Sequence, residues 1–205
     1  MKKNLIYTLL LMTIFSNSVL GFRMQETIID FTYPISNMKI VTDATERAAG
    51  LSHAYIGYQN SQYNKSHYFF AHLEPQPSGA AFASFKIEQK YNLDSSTSIC
   101  LNGKSLNERA AIFQLIIDTT ESKSQGFTYK HDFLVEPNKP INKKMFFDNF
   151  SATRRGEPLP NAPYIDINHI NSIGLRIIGR ADRDSNIFQK GLYGLQLFNI
   201  KNCDR

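Results

Sequence analysis

The chain has 205 residues and no tryptophan, with 23 Lys and Arg set against 18 Asp and Glu for a formal charge of +5. That length suits one domain with its own core, which needs neither metal nor many crosslinks. Basic residues are interleaved with acids, as in Lys86, Glu88 and Lys90 or Asp182, Arg183 and Asp184, which excludes a phosphate-tracking basic groove and so nucleic acid as a partner.

Lys2 and Lys3 precede an apolar run from Leu5 to Phe15, and Ser16, Asn17 and Ser18 lead into Val19, Leu20 and Gly21. A positive start, a short apolar stretch and small residues before a break predict a secretory signal peptide at 1–21, cleaved after Gly21. The run is too short to cross a hydrocarbon core of roughly 30 Å, and no later stretch is a transmembrane candidate. No cysteine follows it to carry a lipid. The expectation is an exported protein, periplasmic or secreted, whose mature part is a single domain at 22–205.

Beyond the leader, short strand-like stretches recur between turn formers. Thr27 to Tyr33 comes first, and Asp43 to Ala49 is the one early segment that suits a short helix or turn. Ala54 to Tyr58 and His67 to Leu73 flank a polar run. In Phe82 to Ile87, alternation puts Phe82, Ser84 and Lys86 on one face and Ala83, Phe85 and Ile87 on the other. Ser96 to Leu101, Ala111 to Asp118, Phe127 to Val135 and Lys143 to Phe147 follow. Arg154 to Tyr164, with Pro158, Pro160 and Pro163, reads as a long extended loop. Asp166 onward suits a small turn before Ile173 to Ile178, and Leu192 to Ile200 closes the series. Period-two patterns such as Phe113, Leu115 and Ile117 predict a sheet facing a core. Many short strands with few helices predict an all-β sandwich or jelly roll and disfavour a parallel α/β fold.

Cys100 and Cys203 are a candidate disulfide in an oxidising compartment, the alternative being one buried thiol and one in the tail. Asp43 and Glu46 are three apart and would share a helical face, the least that paired carboxylates need, although a capped, solvated turn is the plainer reading. His67, His72, His131, His53 and His169 form no metal motif. No Gly-x-Gly-x-x-Gly or Walker pattern is present, so neither metal nor cofactor is expected. The aromatics Tyr55, Tyr58, Tyr63, Tyr68, Phe69 and Phe70 cluster around a polar loop; most serve the core, with Tyr58 and Tyr63 the expected exposed exceptions that would stack on a sugar or a partner. Arg154 and Arg155 supply planar donor forks suited to carboxylates or vicinal hydroxyls, unless they anchor the long loop. The ligand-binding candidates are therefore Tyr58, Tyr63, Arg154, Arg155 and Asp43.

An ordered series of motifs carries a resemblance. It comprises Phe31; Val41-Thr42-Asp43 with Gly50 and Ser52; Gly79-Ala80-Ala81-Phe82-Ala83-Ser84-Phe85-Lys86; Leu101-Asn102-Gly103-Lys104, matching a Gly-rich turn; Arg154-Arg155-Gly156; Ile170-Asn171-Ser172-Ile173-Gly174-Leu175; and a last strand from Gly194 to Ile200. Together they resemble the complex I intermediate-associated protein 30 domain family over about residues 30 to 200, with departures at Ala49, Ala80 and Ala81. The resemblance implies a galactose-binding-like jelly-roll β-sandwich, a fold of carbohydrate-binding modules and of assembly factors without chemistry of their own.

The expected function is a non-catalytic binding or scaffolding module for a protein partner or a glycan. The alternatives are a carbohydrate-active hydrolase using Asp43, Glu46 or Asp132, and a purely structural or assembly protein. The sequence sets no oligomeric state.

Overall fold

A computed structural model describes residues 26–94, 96–180 and 188–203; the signal peptide expected at 1–21 lies outside the described residues. The chain forms β1 (Thr27–Asp30), β2 (Met38–Thr42), α1 (Asp43–Glu46), β3 (His53–Asn60), β4 (Lys65–Leu73), β5 (Phe82–Tyr91), β6 (Ser98–Ser105) and β7 (Ala111–Thr119). It continues with α2 (Thr120–Gln125), β8 (Thr128–Val135), β9 (Pro140–Phe146), β10 (Ser151–Arg154), β11 (Glu157–Pro158), β12 (Ile170–Ile178) and β13 (Gly191–Asn202). The strands make two antiparallel sheets. One runs β3-β4-β13-β6-β9, with β1 on the far end of β13; the other runs β11-β10-β8-β7-β12-β5-β2. This is the all-β jelly-roll sandwich that the alternating pattern predicts.

Alternation decides which side chains fill the space between the sheets. Phe69 from β4 meets Phe85 from β5 edge-to-face at 5.0 Å between ring centroids, and both are fully buried with Phe31, Phe113, Leu115, Leu175 and Leu195. Each such side chain contributes about 2–3 kcal/mol by leaving water. In β5 the face made of Ala83, Phe85 and Ile87 is the inner one.

Several elements differ from the sequence expectation. The helix α2 contains no apolar residue at helical spacing and so gives no periodic signal; it is set by its ends. Thr119 accepts from the Ser122 amide, the Ser122 hydroxyl takes the Thr119 amide, and Gly126 ends the helix at φ 70°. The edge strand β2 is mostly half-buried and escapes the pattern for that reason. The segment Leu101 to Lys104, expected as a turn, continues β6. A side chain at Gly103 would come within 2.4 Å of the Gln196 carbonyl, so glycine lets β13 approach. The loop expected from Arg154 begins as a tight hairpin, β10 to β11, whose two turn residues Arg155 (φ 52°) and Gly156 (φ 88°) are both left-handed.

The region after β2 is closed by Asp43, which is fully buried and accepts the Ser52 amide at 2.9 Å. Gly50 lies against it so closely that a Cβ there would fall 2.1 Å from the Asp43 carbonyl oxygen. Gly50→Ala is expected to force this turn open and to cost about 2–3 kcal/mol, the scale of overpacking a site without slack. Urea unfolding of the variant beside the wild type checks it, and an unchanged midpoint would contradict the packing described.

Cys100 in β6 and Cys203 after β13 form a disulfide with Cα atoms 5.7 Å apart. It fixes the last turn of chain to the sheet that β13 crosses.

Candidate functional site

The outer face of the β3-β4-β13 sheet carries an aromatic platform. In β3, Ala54 and Ile56 pack toward the core, which turns Tyr55, Gly57 and Gln59 outward; in β4, His67, Phe69 and Ala71 are buried, which turns Tyr68, Phe70 and His72 outward. Register then sets Tyr55 beside Phe70 and Gly57 beside Tyr68, with Gly194 and Gln196 of β13 on the other side of Phe70 and Tyr68.

Two glycines make the platform flat. A Cβ at Gly57 would lie 2.7 Å from the Tyr55 ring, and one at Gly194 would lie 2.8 Å from the Phe70 ring, so each ring rests over bare backbone. Tyr68 and Phe70 are nearly parallel, 10° between planes with centroids 6.3 Å apart. Tyr55 stands 63% exposed beside them. A hollow of about 320 Å³ is bounded by Tyr55, Gly57, Tyr58, Gln59, Tyr68 and Phe70.

The six residues bounding the hollow carry no charge, and the polar groups along one edge orient one another. Asn64 donates to the Tyr68 hydroxyl at 2.6 Å, while its carbonyl oxygen accepts from Gln196 at 3.1 Å and from the Ser66 hydroxyl at 3.0 Å. Flat rings flanked by amides and hydroxyls offer an apolar surface with hydrogen-bonding edges, which is what the C–H face and hydroxyl groups of a sugar ring require.

The residues singled out in the sequence are spread over the molecule. Tyr58 bounds the hollow but leans inward: its hydroxyl donates to the Thr32 carbonyl at 2.8 Å and its ring lies 5.0 Å from His67. Tyr63, in the β3–β4 turn, is 92% exposed. Arg154 donates to the Gln125 carbonyl at 3.0 Å and so ties β10 to α2, and Arg155 forms the hairpin turn. Asp43 is enclosed while Glu46 is exposed, so the two do not converge. Asp132, on the other sheet, is taken by Gln114 and Lys130. Among the described residues no group of three metal-binding side chains comes together. His67 is spent on the Phe31 carbonyl, and His169 on Asp166. Burial pushes the pKa of His131 down, only partly opposed by Asp132.

A second hollow, about 380 Å³, lies under the proline loop between Phe147, Phe150 and Leu159. The Tyr129 hydroxyl there donates to the Pro163 carbonyl and holds the loop down. Burial raises the pKa of that hydroxyl, and the charges of Glu121 and Asp166 raise it further.

The outer face of the seven-stranded sheet is charged instead of aromatic. Lys86 of β5 reaches across β12, over Gly174, to pair with Asp118 of β7 at 2.5 Å. Asp118 also accepts from the Thr128 and Ser172 hydroxyls. Burial would raise its pKa, but the charge of Lys86 and these three hydrogen bonds outweigh that and hold it below the ordinary value.

Two antiparallel sheets around one apolar core, with a platform on one outer face, define a jelly-roll β-sandwich of the kind found in carbohydrate-binding modules. The solved structures agree on the fold. A family 11 carbohydrate-binding module from Clostridium thermocellum, in complex with a β-1,3-1,4-mixed-linked tetrasaccharide, matches with a TM-score of 0.60 and 9% identity, over 86% of this chain and 95% of that one. The agarase AgWH50C matches with a TM-score of 0.53 and 14% identity, over 88% of this chain but only 25% of its own. A comparison with curated protein sequences finds no match. The chain belongs to the complex I intermediate-associated protein 30 family, whose model matches residues 29–196.

Proposed function

We propose that this protein is an exported, non-catalytic glycan-binding module that works through the platform of Tyr55, Tyr68 and Phe70. The observation that carries the reading is the pair of glycines, Gly57 and Gly194, beneath the Tyr55 and Phe70 rings, which keeps them flat and open on the sheet surface. The disulfide suits an oxidising compartment and so supports export. The two carboxylates nominated for catalysis that lie inside hydrogen-bonded networks, Asp43 and Asp132, have structural duties.

Neutral chains with accessible C–H faces are the ligands of choice, with mixed-linkage β-glucan, agarose and xylan as the first probes. Affinity electrophoresis of the purified chain is expected to show retardation by at least one of them. Tyr55→Ala and Phe70→Ala are each expected to weaken that binding about tenfold or more, the scale of losing an aromatic anchor. Retention by none of these glycans, or retention unchanged in both variants with their folding intact, would count against the platform.

A further inference from the structure

The charged face of the seven-stranded sheet has more cations than its acids can serve. Lys39, Arg47, Lys86, Lys130 and Arg176 lie on or beside it. Asp118 is taken by Lys86 and two hydroxyls, and Asp132 by Lys130 and Gln114. Lys39, Arg47 and Arg176 are left with no hydrogen bond or ion pair from their side chains among the described residues, with Glu46 and Glu88 exposed nearby. Two of the three are gathered on one ring: the Arg176 guanidinium lies 5.6 Å from the centre of Phe82 and the Arg47 guanidinium 5.8 Å from it.

Arg176 keeps donor capacity that the described residues do not use: its Nε is buried without a partner, which forfeits a strong donor. Desolvation lowers the pKa of Arg176, opposed by the charge of Asp118, yet arginine keeps its proton. An anion at the rim of Phe82 would meet planar donor forks from both side chains.

We propose that this face binds a carboxylate-bearing saccharide chain, a polyuronate, with Arg47 and Arg176 around Phe82 as the carboxylate site and Lys39 as the next contact. The choice of a sugar polymer rests on the glycan reading of the opposite face. It is favoured here because Lys39 on β2 and Arg176 on β12 stand two strand spacings apart, about 10 Å across the sheet. A chain that repeats its carboxylate at every sugar can meet both. The Phe82 ring, on which both guanidinium groups pack, adds an apolar contact for a sugar that a polyanion without rings would not use.

The test uses the full folded chain and three probes: polygalacturonate, its fully methyl-esterified form, and poly-L-glutamate. The expected result is binding of polygalacturonate at low salt that weakens as salt is added, with no binding of the ester, which keeps the sugar and loses the charge. Arg47→Gln, which changes an exposed side chain and leaves the backbone hydrogen bonds of its turn in place, is expected to weaken polygalacturonate binding about tenfold and to leave neutral-glycan binding unchanged. Arg176→Gln should weaken it at least as much if it folds; Arg47→Gln decides the matter if it does not. Equal binding of the ester, or full binding by Arg47→Gln, overturns the carboxylate site. Poly-L-glutamate bound as tightly as polygalacturonate overturns the saccharide and makes the face a docking site for acidic protein. Loss of neutral-glycan binding in Tyr55→Ala bears on the platform alone, so the two readings fail separately.

Discussion

A Cys100→Ser/Cys203→Ser double variant is expected to lose about 4–5 kcal/mol of stability, the entropy that a crosslink closing a loop of this length removes from the unfolded chain. The bridge joins residues 103 apart and encloses β6 through β13, more than half of the sandwich. Without it, the C-terminal end of β13 is held by its pairing to β1 and β6 and by the burial of Ile200. Urea unfolding with and without reductant separates the effect from any local packing change. Reductant should bring the wild type down to the level of the variant and leave the variant where it was. A wild type that reductant does not shift, once its thiols have been shown to be free, would mean that the loop is already constrained in the unfolded state.

The second large effect is at Asp118. Its side chain and that of Lys86 are 11% and 19% exposed, so removing the carboxylate strands an ammonium group in a largely dry place. Asp118→Ala is expected to cost about 3 kcal/mol at neutral pH, the scale of breaking such a pair from one side. The same pair predicts an acid limit. The folded pKa of Asp118 lies below its ordinary value of 3.8, so the unfolded state takes up the proton first as pH falls. The pair's contribution is therefore fully present above the unfolded value and is lost as pH drops through the folded one. Against Asp118→Asn, the wild-type advantage should hold from neutral pH down to about 4 and then narrow. A constant gap between the two proteins down to the acid-unfolding limit would show that Asp118 titrates normally.

Much of the fold is legible in the sequence because a strand in a sandwich has one dry face. Phe113, Leu115 and Ile117, or Leu175 and Ile177, announce a core by their period of two, and all five are fully buried. The short helix at Asp43 and the joining of Cys100 to Cys203 were each legible as one of two alternatives, helix or turn in the first case and bridge or separate thiols in the second. Elements without an apolar period were not, among them α2, whose sequence is polar throughout, and the half-buried β2.

The candidate surfaces belong to a different level. Periodicity tells which residues of β3 and β4 point outward, but only the register of three strands places Tyr55 beside Phe70 and sets Gly194 under the Phe70 ring. Arg176 and Arg47 are far apart in the chain and meet on Phe82 because β12 and β2 both pair with β5. Lys86 and Asp118 meet only because β12 lies between their strands and has a glycine where the lysine crosses. Alternation, a local property, determined what is inside and what is outside; which outward side chains become neighbours depends on pairings between distant strands, and those are decided by the packing of the whole sandwich.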